Sequence, residues 1–182
     1  LNLDKNLFLS ISTTTRQKRP NEISGKDYNF VTEEEFKKQL KKNNFIEHAK
    51  VFGNFYGTDK FLVDNKINEG KDLLFDIDWQ GAQQLREKMR EDIVSVFILP
   101  PSKSELEQRL KNRGQDDDEV VKKRMDGASS EITHWAEYDY VIINKNLEES
   151  VNTVLGILKA ERMKRIRQIG LGEFIRSINL DN

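Results

Sequence analysis

Apolar runs alternate with amphipathic stretches along this chain. Four mainly apolar runs predict buried strands of the kind found in parallel sheets, at 7–12, 73–77, 93–99 and 138–143. Apolar positions at helical spacing predict helices from Thr32 onward and over 59–68, 79–88, 102–112, about 119–135 and 147–169. Strands that alternate with helices favour an α/β fold in which helices cover a parallel sheet in three layers.

Polar residues mark the start of two of these helices. Thr32 is followed three residues later by Glu35, and Ser102 by Glu105, a spacing at which side chains and backbone cap each other. The segment from about 28 to 70 has its own helices and a strand over 45–52, which predicts a lobe inserted into the sheet domain. The charged stretch at about 103–127 is a second candidate for a moving part.

Composition and charge exclude several classes of protein. At 182 residues the chain is long enough for one domain with a substantial core, and we expect residues 1–182 to form one domain. The net charge is only -1, so no overall field attracts nucleic acid. The absence of cysteine fits a reducing, cytoplasmic setting. No apolar run approaches the ~18 residues of a membrane helix, so we expect neither nucleic acid nor membrane as a partner.

Two arginines close to a row of hydroxyl groups are the first candidate for chemistry. Arg16 directly follows the hydroxyl residues at 12–15, and Arg19 comes three residues later. A guanidinium presents paired N–H donors at the geometry of phosphate oxygens, so two of them beside hydroxyls can hold a doubly charged phosphate. Most arginine pairs lie on the surface, and on charge alone a solvated basic loop is the simpler interpretation.

Motifs that follow one another in order over about residues 7–160 reverse that judgement. They read S-T-T-T-R-Q-K-R at 12–19, G-K-D-Y-N-F at 25–30, F-I-E-H-A at 45–49, G-N-F-Y-G-T at 53–58, D-I-D-W-Q-G at 76–81 and R-L-K-N-R-G at 109–114. In this order the chain resembles guanylate kinases. The resemblance implies a three-layer parallel sheet of the P-loop kinase type, with a GMP-binding lobe at about 12–70, a lid at about 103–127 and a C-terminal helix and tail at about 147–182.

The same resemblance implies an activity, which is Mg²⁺-dependent transfer of the γ-phosphoryl group of ATP to GMP. It implies eight GMP-binding residues, namely Ser12, Arg16, Arg19, Tyr28, Glu47, Tyr56, Thr58 and Asp78. Guanine has two adjacent donors, N1–H and the N2 amine, and the Glu47 carboxylate can accept both, whereas adenine has no such pair. A site built for these donors discriminates strongly against a base that lacks them. An outward strand residue paired with a lysine is the alternative for Glu47.

Other residues are implied for the metal, ATP and catalysis. Asp76 lies at the carboxyl end of an apolar strand, where open α/β sheets bind ligands, and is implied to act near Mg²⁺, directly or through water. Its alternative role is to cap the next helix together with Asp78. Arg16, Arg113 and Arg124 are implied to stabilise the transferring group, and Arg109, Arg113 and Asn144 to approach ATP. Solvated helix arginines and a turn asparagine are the alternatives.

One motif of nucleotide kinases, G-x-x-x-x-G-K-[ST], is missing from the sequence. Guanylate kinases carry this phosphate loop ahead of the segment that matches Ser12, so we expect roughly twenty further residues before Leu1. A non-catalytic guanylate-kinase-like module that binds proteins also lacks the loop and is the second hypothesis. The complete set of GMP residues argues against it. The third hypothesis is a kinase for another nucleoside monophosphate, against which Glu47 argues.

The C-terminal residues carry a broken amphipathic stripe. Its apolar members are Met163, Ile166, Ile169, Phe174, Ile175 and Ile178. A helix packed on its own core with a frayed tail explains the stripe, and an arm that docks on a second subunit explains it as well. The sequence therefore leaves both a monomer and a homodimer open.

Overall fold

Strands and helices alternate over only part of the chain, because three strands precede the first helix and a pair of consecutive strands precedes the second. We describe residues 1–112 and 118–179 from a computed structural model. The strands are β1 (Leu7–Leu9), β2 (Thr13–Thr14), β3 (Asn29–Phe30), β4 (Phe45–Val51), β5 (Asn54–Asp59), β6 (Asp72–Leu74), β7 (Val96–Leu99) and β8 (Tyr140–Ile143). The helices are α1 (Glu33–Lys41), α2 (Lys60–Asn68), α3 (Trp79–Met89), α4 (Lys103–Asn112), α5 (Asp118–Ile132), α6 (Leu147–Met163) and α7 (Leu171–Asn179).

The described residues form two compact units. The first contains residues 1–93 and 118–131, and the second contains residues 94–112 and 132–179. The first unit has a four-stranded sheet in the order β3-β2-β5-β4 and the parallel pair β1–β6. The second unit has the parallel pair β7–β8, in which Val96 pairs with Tyr140 and Leu99 with Ile143. The predicted lid therefore contributes α4 to the second unit and α5 to the first.

Two apolar clusters hold the first unit together. Ile46, Val63 and Leu85 are buried together and join β4 to α2 and α3. On the other side of β4, the Phe36 ring of α1 stacks on Phe45 at a centroid distance of 4.6 Å. It also stacks on Phe55, at 5.4 Å. Burial of such side chains contributes about 1.5–3 kcal/mol each, so these clusters fix the sheet that carries most of the candidate site.

Both predicted helix starts are confirmed. The Thr32 hydroxyl accepts the Glu35 backbone N–H, and the Glu35 carboxylate accepts the Thr32 backbone N–H, which completes a capping box. The Ser102 hydroxyl accepts the backbone N–H of Glu105 at 3.1 Å. These contacts join residues three positions apart, so local spacing is enough to predict them.

Several predicted elements are shorter in the structure, among them the strands predicted at 7–12, 93–99 and 138–143, and for two others the contacts at the end of the element show why. Strand β6 ends at Leu74 rather than Ile77, because the backbone N–H of Ser10 bonds the Leu74 carbonyl and the chain after Ser10 leaves for the four-stranded sheet. Helix α6 ends at Met163 rather than near Ile169. There the buried Glu161 accepts the hydroxyl of Tyr140 at 2.6 Å and the Nζ of Lys164 at 2.7 Å, and Lys164 takes an extended backbone.

The C-terminal stripe forms a separate helix that leaves its apolar face exposed. Helix α7 follows Gly170, whose φ is +79°, a left-handed value suited to glycine. Phe174, Ile175 and Ile178 are 60%, 48% and 55% exposed. The expectation that this stripe packs on the chain's own core is therefore wrong for α7, and docking on a second subunit stays a prediction. No described helix combines the length and the apolar character needed to cross a membrane.

Candidate active site

A bulge in β4 aims the Glu47 side chain. Phe45 pairs with Asp59, whereas Glu47 pairs with Thr58, so Ile46 is an extra residue in β4. Regular alternation would place Phe45 and Glu47 on the same face of the sheet. The extra residue places them on opposite faces, so Phe45 packs on α1 while Glu47 points the other way. The sequence predicts a regular strand here and does not reveal the bulge.

Helix α3 covers the outer edge of β4 on both sides of Glu47. Gln84 donates its Nε2 to the His48 carbonyl at 2.7 Å and accepts the His48 backbone N–H at 3.1 Å. Lys88 donates its Nζ to the carbonyl of Ile46. Edge strands expose unpaired backbone groups, and these two side chains pair such groups directly before and after position 47. The backbone that carries Glu47 is thereby held in place.

The Glu47 carboxylate is buried, and its hydrogen bonds are incomplete. Glu47 is 2% exposed, and no described residue forms a hydrogen bond with its Oε1. Thr58, which is fully buried, places its hydroxyl beside this carboxylate and lowers the pKa of Glu47, yet the hydroxyl has no partner of full hydrogen-bond geometry among the described residues. Burial of a polar atom without a partner costs about 1–3 kcal/mol. Two such atoms side by side indicate a place built for donors and acceptors from outside the chain.

Burial raises the pKa of Glu47, and the negative charge of Asp78 raises it further. Thr58 and Lys88 act in the opposite direction without reversing the shift. The carboxylate therefore destabilises the ligand-free protein at neutral pH. Hydrogen-bond donors that approach such a carboxylate stabilise its charged form, because hydrogen bonds to a charged acceptor are stronger than those between neutral groups.

We expect this shift to appear in stability as a function of pH. The folded pKa lies above the unfolded one, so the free energy of unfolding falls as pH rises from the unfolded pKa through the folded pKa. In Glu47→Gln this fall is absent. Without nucleotide, the stability advantage of Glu47→Gln over the wild type should grow from about pH 4.5 towards neutrality. Urea unfolding at a series of pH values measures it, and an advantage that does not change with pH would contradict the assignment.

Arg16 and Arg19 meet at one carboxylate, that of Glu22. Arg16 donates Nη2 to Oε1 of Glu22 at 2.6 Å and Nη1 to Oε2 at 3.1 Å. Arg19 donates its backbone N–H to the same Oε2 at 2.8 Å, and its Nη1 lies 3.7 Å from Oε1. The Arg16 hydrogen bond is the main reason why the pKa of Glu22 is lowered. Burial opposes the charge on Arg16, but Glu22 outweighs burial and raises the Arg16 pKa.

Two tyrosines join this arginine pair to the rest of the site. The Arg16 guanidinium lies over the Tyr28 ring at 5.3 Å, and Tyr28 meets Tyr56 edge to face at 6.1 Å. Burial raises the pKa of the Tyr28 hydroxyl, and the charge of Asp76 raises it further. The charge of Asp76 therefore acts on Tyr28, which also contacts Arg16 and Tyr56. The sequence predicts all four as residues of one site.

Tyr56 and Glu47 lie on the same face of the four-stranded sheet. Glu47 pairs with Thr58 and Thr14 pairs with Tyr56, and directly opposed residues of antiparallel strands lie on the same face. Tyr56 and Thr58 are two residues apart on β5, a separation of about 7 Å along the strand. Ser12, buried just before β2, bonds β3 through its backbone carbonyl. The structure thus brings the residues predicted to bind the guanine base close to those predicted to bind the phosphate.

Asp78 serves as a helix cap, the alternative role that the sequence left open. Its Oδ1 accepts the backbone N–H of Gly81 at 3.1 Å at the start of α3. The cap also brings α3 against Glu47, because a Cβ on Gly81 would lie only 2.6 Å from Glu47 Oε2. Only glycine fits there without displacing the carboxylate. Asp78 therefore lies close to Glu47 while it caps the helix.

The described residues that are predicted for the lid and for ATP separate into two groups. Arg109 and Asn144 meet in the second unit, where Arg109 Nη2 donates to the Asn144 carbonyl at 3.0 Å and Nε bonds Glu105. Arg124 lies in the first unit, with its guanidinium 5.7 Å from the centroid of the Phe52 ring. Arg113 lies outside the described residues. Among the described residues, no group of three or more His, Cys, Asp or Glu side chains converges as a metal site.

Several residues of the site escape prediction from the sequence. They are Glu22, Gly81, Gln84 and Lys88, together with the bulge at Ile46. Glu22 lies within the predicted phosphate segment, and its position three residues after Arg19 is a usable signal. The contacts of α3 with β4 join residues about 36 to 42 positions apart, and no local pattern marks them.

Comparisons with known proteins identify the family of the chain. The family model described as guanylate kinase matches residues 2–161. A guanylate kinase of Paramagnetospirillum magneticum is 53% identical over 178 residues, which are 98% of this chain and 83% of the relative. One of Nitrobacter winogradskyi is 54% identical over 94% of this chain and 78% of the relative. The crystal structure of guanylate kinase from Anaplasma phagocytophilum has a TM-score of 0.82 and 44% identity over 95% of this chain and 85% of its own.

These similarities decide between the hypotheses that the sequence left open. The structural likeness confirms the three-layer fold of the P-loop kinases. Relatives at about half identity over most of the chain are kinases, so the non-catalytic binding module is not supported. The chain belongs to the guanylate kinase family and is a nucleoside-monophosphate kinase.

Proposed function

We propose that the chain transfers the γ-phosphoryl group of ATP to the phosphate of GMP and releases GDP and ADP. The observation that carries this proposal is a buried, incompletely bonded Glu47 on the same sheet face as Tyr56, which contacts the Tyr28 ring beneath the Arg16 guanidinium. The carboxylate suits the donor edge of guanine, and the arginines suit a phosphate. About 7 Å of strand between Thr58 and Tyr56 leaves room for the ribose between them.

At the base end, Glu47 would accept both guanine donors, while the hydroxyls of Thr58 and Ser12 and the carboxylate of Asp78 complete the polar edge. At the phosphate end, Arg16, Arg19, Tyr28 and Tyr56 would hold the phosphate oxygens. The Glu22 carboxylate, which now takes both terminal nitrogens of Arg16, shows that a planar anion fits this fork. A phosphate at this place would share the two arginines with Glu22 or displace it.

Phosphoryl transfer needs no covalent link to the protein. An oxygen of the GMP phosphate bonds the γ-phosphorus while the bond from that phosphorus to the bridging oxygen of ADP breaks. The protein contributes by aligning the two nucleotides and by placing guanidiniums near the developing charge. We assign this second task to Arg16, Arg124 and Arg113, the last of which lies outside the described residues.

The metal and the ATP contacts extend the proposal to three further residues. We assign Asp76 to Mg²⁺, directly or through water, because Mg²⁺ in kinases is held by one or two carboxylates together with substrate phosphates. When bound, the ion would neutralise charge on the ATP phosphates. Arg109 and Asn144, joined by a hydrogen bond, are assigned to ATP. A cytoplasmic location, and a monomer or homodimer as the working form, remain predictions.

Substrate specificity tests the proposal. With ATP and Mg²⁺ fixed, we expect kcat/KM for GMP to exceed that for AMP by about 10⁴-fold, because adenine leaves the buried carboxylate without donors. CMP and UMP should react as poorly as AMP. Steady-state assays that follow ADP formation measure these ratios, and comparable rates with AMP and GMP would refute the guanine assignment of Glu47.

A further inference from the structure

The tip of the β4–β5 hairpin contains an unusual residue for its backbone conformation. The two turn residues, Phe52 and Gly53, have φ values of +47° and +87°. Asn-Gly and Asp-Gly favour this kind of turn, because a bulky residue at positive φ is strained. Strain of this kind persists where the surrounding structure or a function holds it in place. The Phe52 side chain is therefore the part of the turn that needs an explanation.

The Phe52 ring contacts helix α5 at a glycine. A Cβ on Gly127 would lie 3.3 Å from Cε1 of Phe52 and 3.6 Å from its Cζ, so any larger residue would push against the ring. Glycine lowers helix stability relative to alanine in the middle of a helix, and Gly127 lies well inside Asp118–Ile132. Because glycine has no side chain, the Phe52 ring can pack close to the helix at this position, and this contact explains the glycine.

Arg124 lies on the same side of α5, three residues before Gly127. Its guanidinium is 5.7 Å from the centroid of the Phe52 ring, within the range of a cation–π contact. One ring thus contacts both a glycine and an arginine of the lid helix. Three independent features meet at this point, namely a positive φ at a phenylalanine, a glycine within a helix and an arginine over an aromatic ring.

We propose that Phe52 is a positioning residue for Arg124, through which the hairpin tip of the GMP lobe docks on the lid helix. The inference rests on the proposed function, because Arg124 is the arginine that would stabilise the transferring phosphoryl group. The ring limits where the guanidinium can lie, and Gly127 lets the ring approach. Since β4 also carries Glu47 and β5 carries Tyr56 and Thr58, the hairpin that binds GMP would thereby set the position of a catalytic arginine.

Phe52→Asn separates this role from a structural one. It creates an Asn-Gly turn, which suits the backbone better than Phe-Gly, so the melting temperature should hold or rise. Without the ring, kcat should fall about tenfold, in line with a cation–π contact and the packing around it, while KM for GMP changes less than about twofold. A residue that only supports the fold would change stability and kcat in the same direction. Phe52→Tyr keeps the ring face and should retain kcat.

Gly127→Ala completes a double-mutant cycle. Alone, it should lower kcat about as much as Phe52→Asn, although alanine favours the helix. In the Phe52→Asn background it should have no further effect, because the ring that it pushes is gone. Phe61→Ala removes another exposed phenylalanine, 74% exposed on α2, and should leave kcat unchanged. An unchanged kcat in Phe52→Asn, or additive effects in the cycle, would overturn the proposal. A wild type inactive with GMP would instead refute the proposed function.

Discussion

Glu47→Gln should lower kcat/KM for GMP by about 10³-fold, since two hydrogen bonds to a charged acceptor are each worth about 1.5–3 kcal/mol. A glutamine amide presents one acceptor and one NH₂ group to the base, so it opposes one of the two guanine donors with a donor of its own. The loss should be accompanied by a melting temperature at or above that of the wild type, because burial penalises the carboxylate. Steady-state kinetics and thermal unfolding measure both.

Two further comparisons show whether the loss arises at the guanine edge. Inosine monophosphate lacks the N2 amine, so the preference of the wild type for GMP over it should shrink in Glu47→Gln. Glu33→Gln, an exposed glutamate on α1, should change nothing. Gly81→Ala is an independent test, because its methyl group would lie 2.6 Å from Oε2 and must displace the carboxylate. If Glu47→Gln kept full activity with GMP, the site would have to be placed elsewhere.

Residues that act locally could be predicted from the sequence. The capping box at Thr32 and Glu35 and the cap at Ser102 join positions three apart, and their geometry follows from helical spacing alone. Arg16 and Arg19 are likewise near each other in the chain, so a shared anion could be foreseen. The structure adds that Glu22 is this anion in the ligand-free protein.

The orientation of Glu47 depends on contacts that no local pattern records. Alternation along β4 predicts Phe45 and Glu47 on one face. In the structure Phe45 packs on Phe36, Ile46 packs on Val63 and Leu85, and the extra residue in the strand turns Glu47 away from the face of Phe45. The motif identifies Glu47 as a site residue, whereas tertiary packing determines where it points.

The same distinction applies to the lid. The sequence predicts a charged segment with arginines at 109, 113 and 124, but which residues they contact depends on neighbours far along the chain. Arg109 bonds the Asn144 carbonyl, 35 positions away, and Arg124 lies over a ring that is 72 positions earlier in the numbering. A single phenylalanine between two strands gives no signal of this kind, because its positive φ is visible only in the folded chain.

Arg16→Lys should lower kcat/KM for GMP by about 10²-fold, although it keeps the positive charge. A lysine ammonium is a point charge and cannot offer the parallel pair of N–H donors that Arg16 now gives to Glu22. The inhibition constant of guanosine, which has the base and no phosphate, should stay unchanged. Glu47→Gln should show the opposite pattern and weaken guanosine as well, so the two variants separate the phosphate end from the base end.

The matched control for this prediction is Arg176→Lys, an exposed arginine on α7 that bonds only a backbone carbonyl among the contacts described. It should leave both constants unchanged. Glu22→Gln is a second test variant. Its neutral amide no longer holds the Arg16 guanidinium by charge, so the guanidinium should become less ordered. Kinetics with GMP and inhibition by guanosine give the answer together. Equal loss of GMP turnover and guanosine affinity in Arg16→Lys would mean that the substitution disturbs the whole lobe, and a kcat/KM equal to that of the wild type would remove Arg16 from the phosphate site.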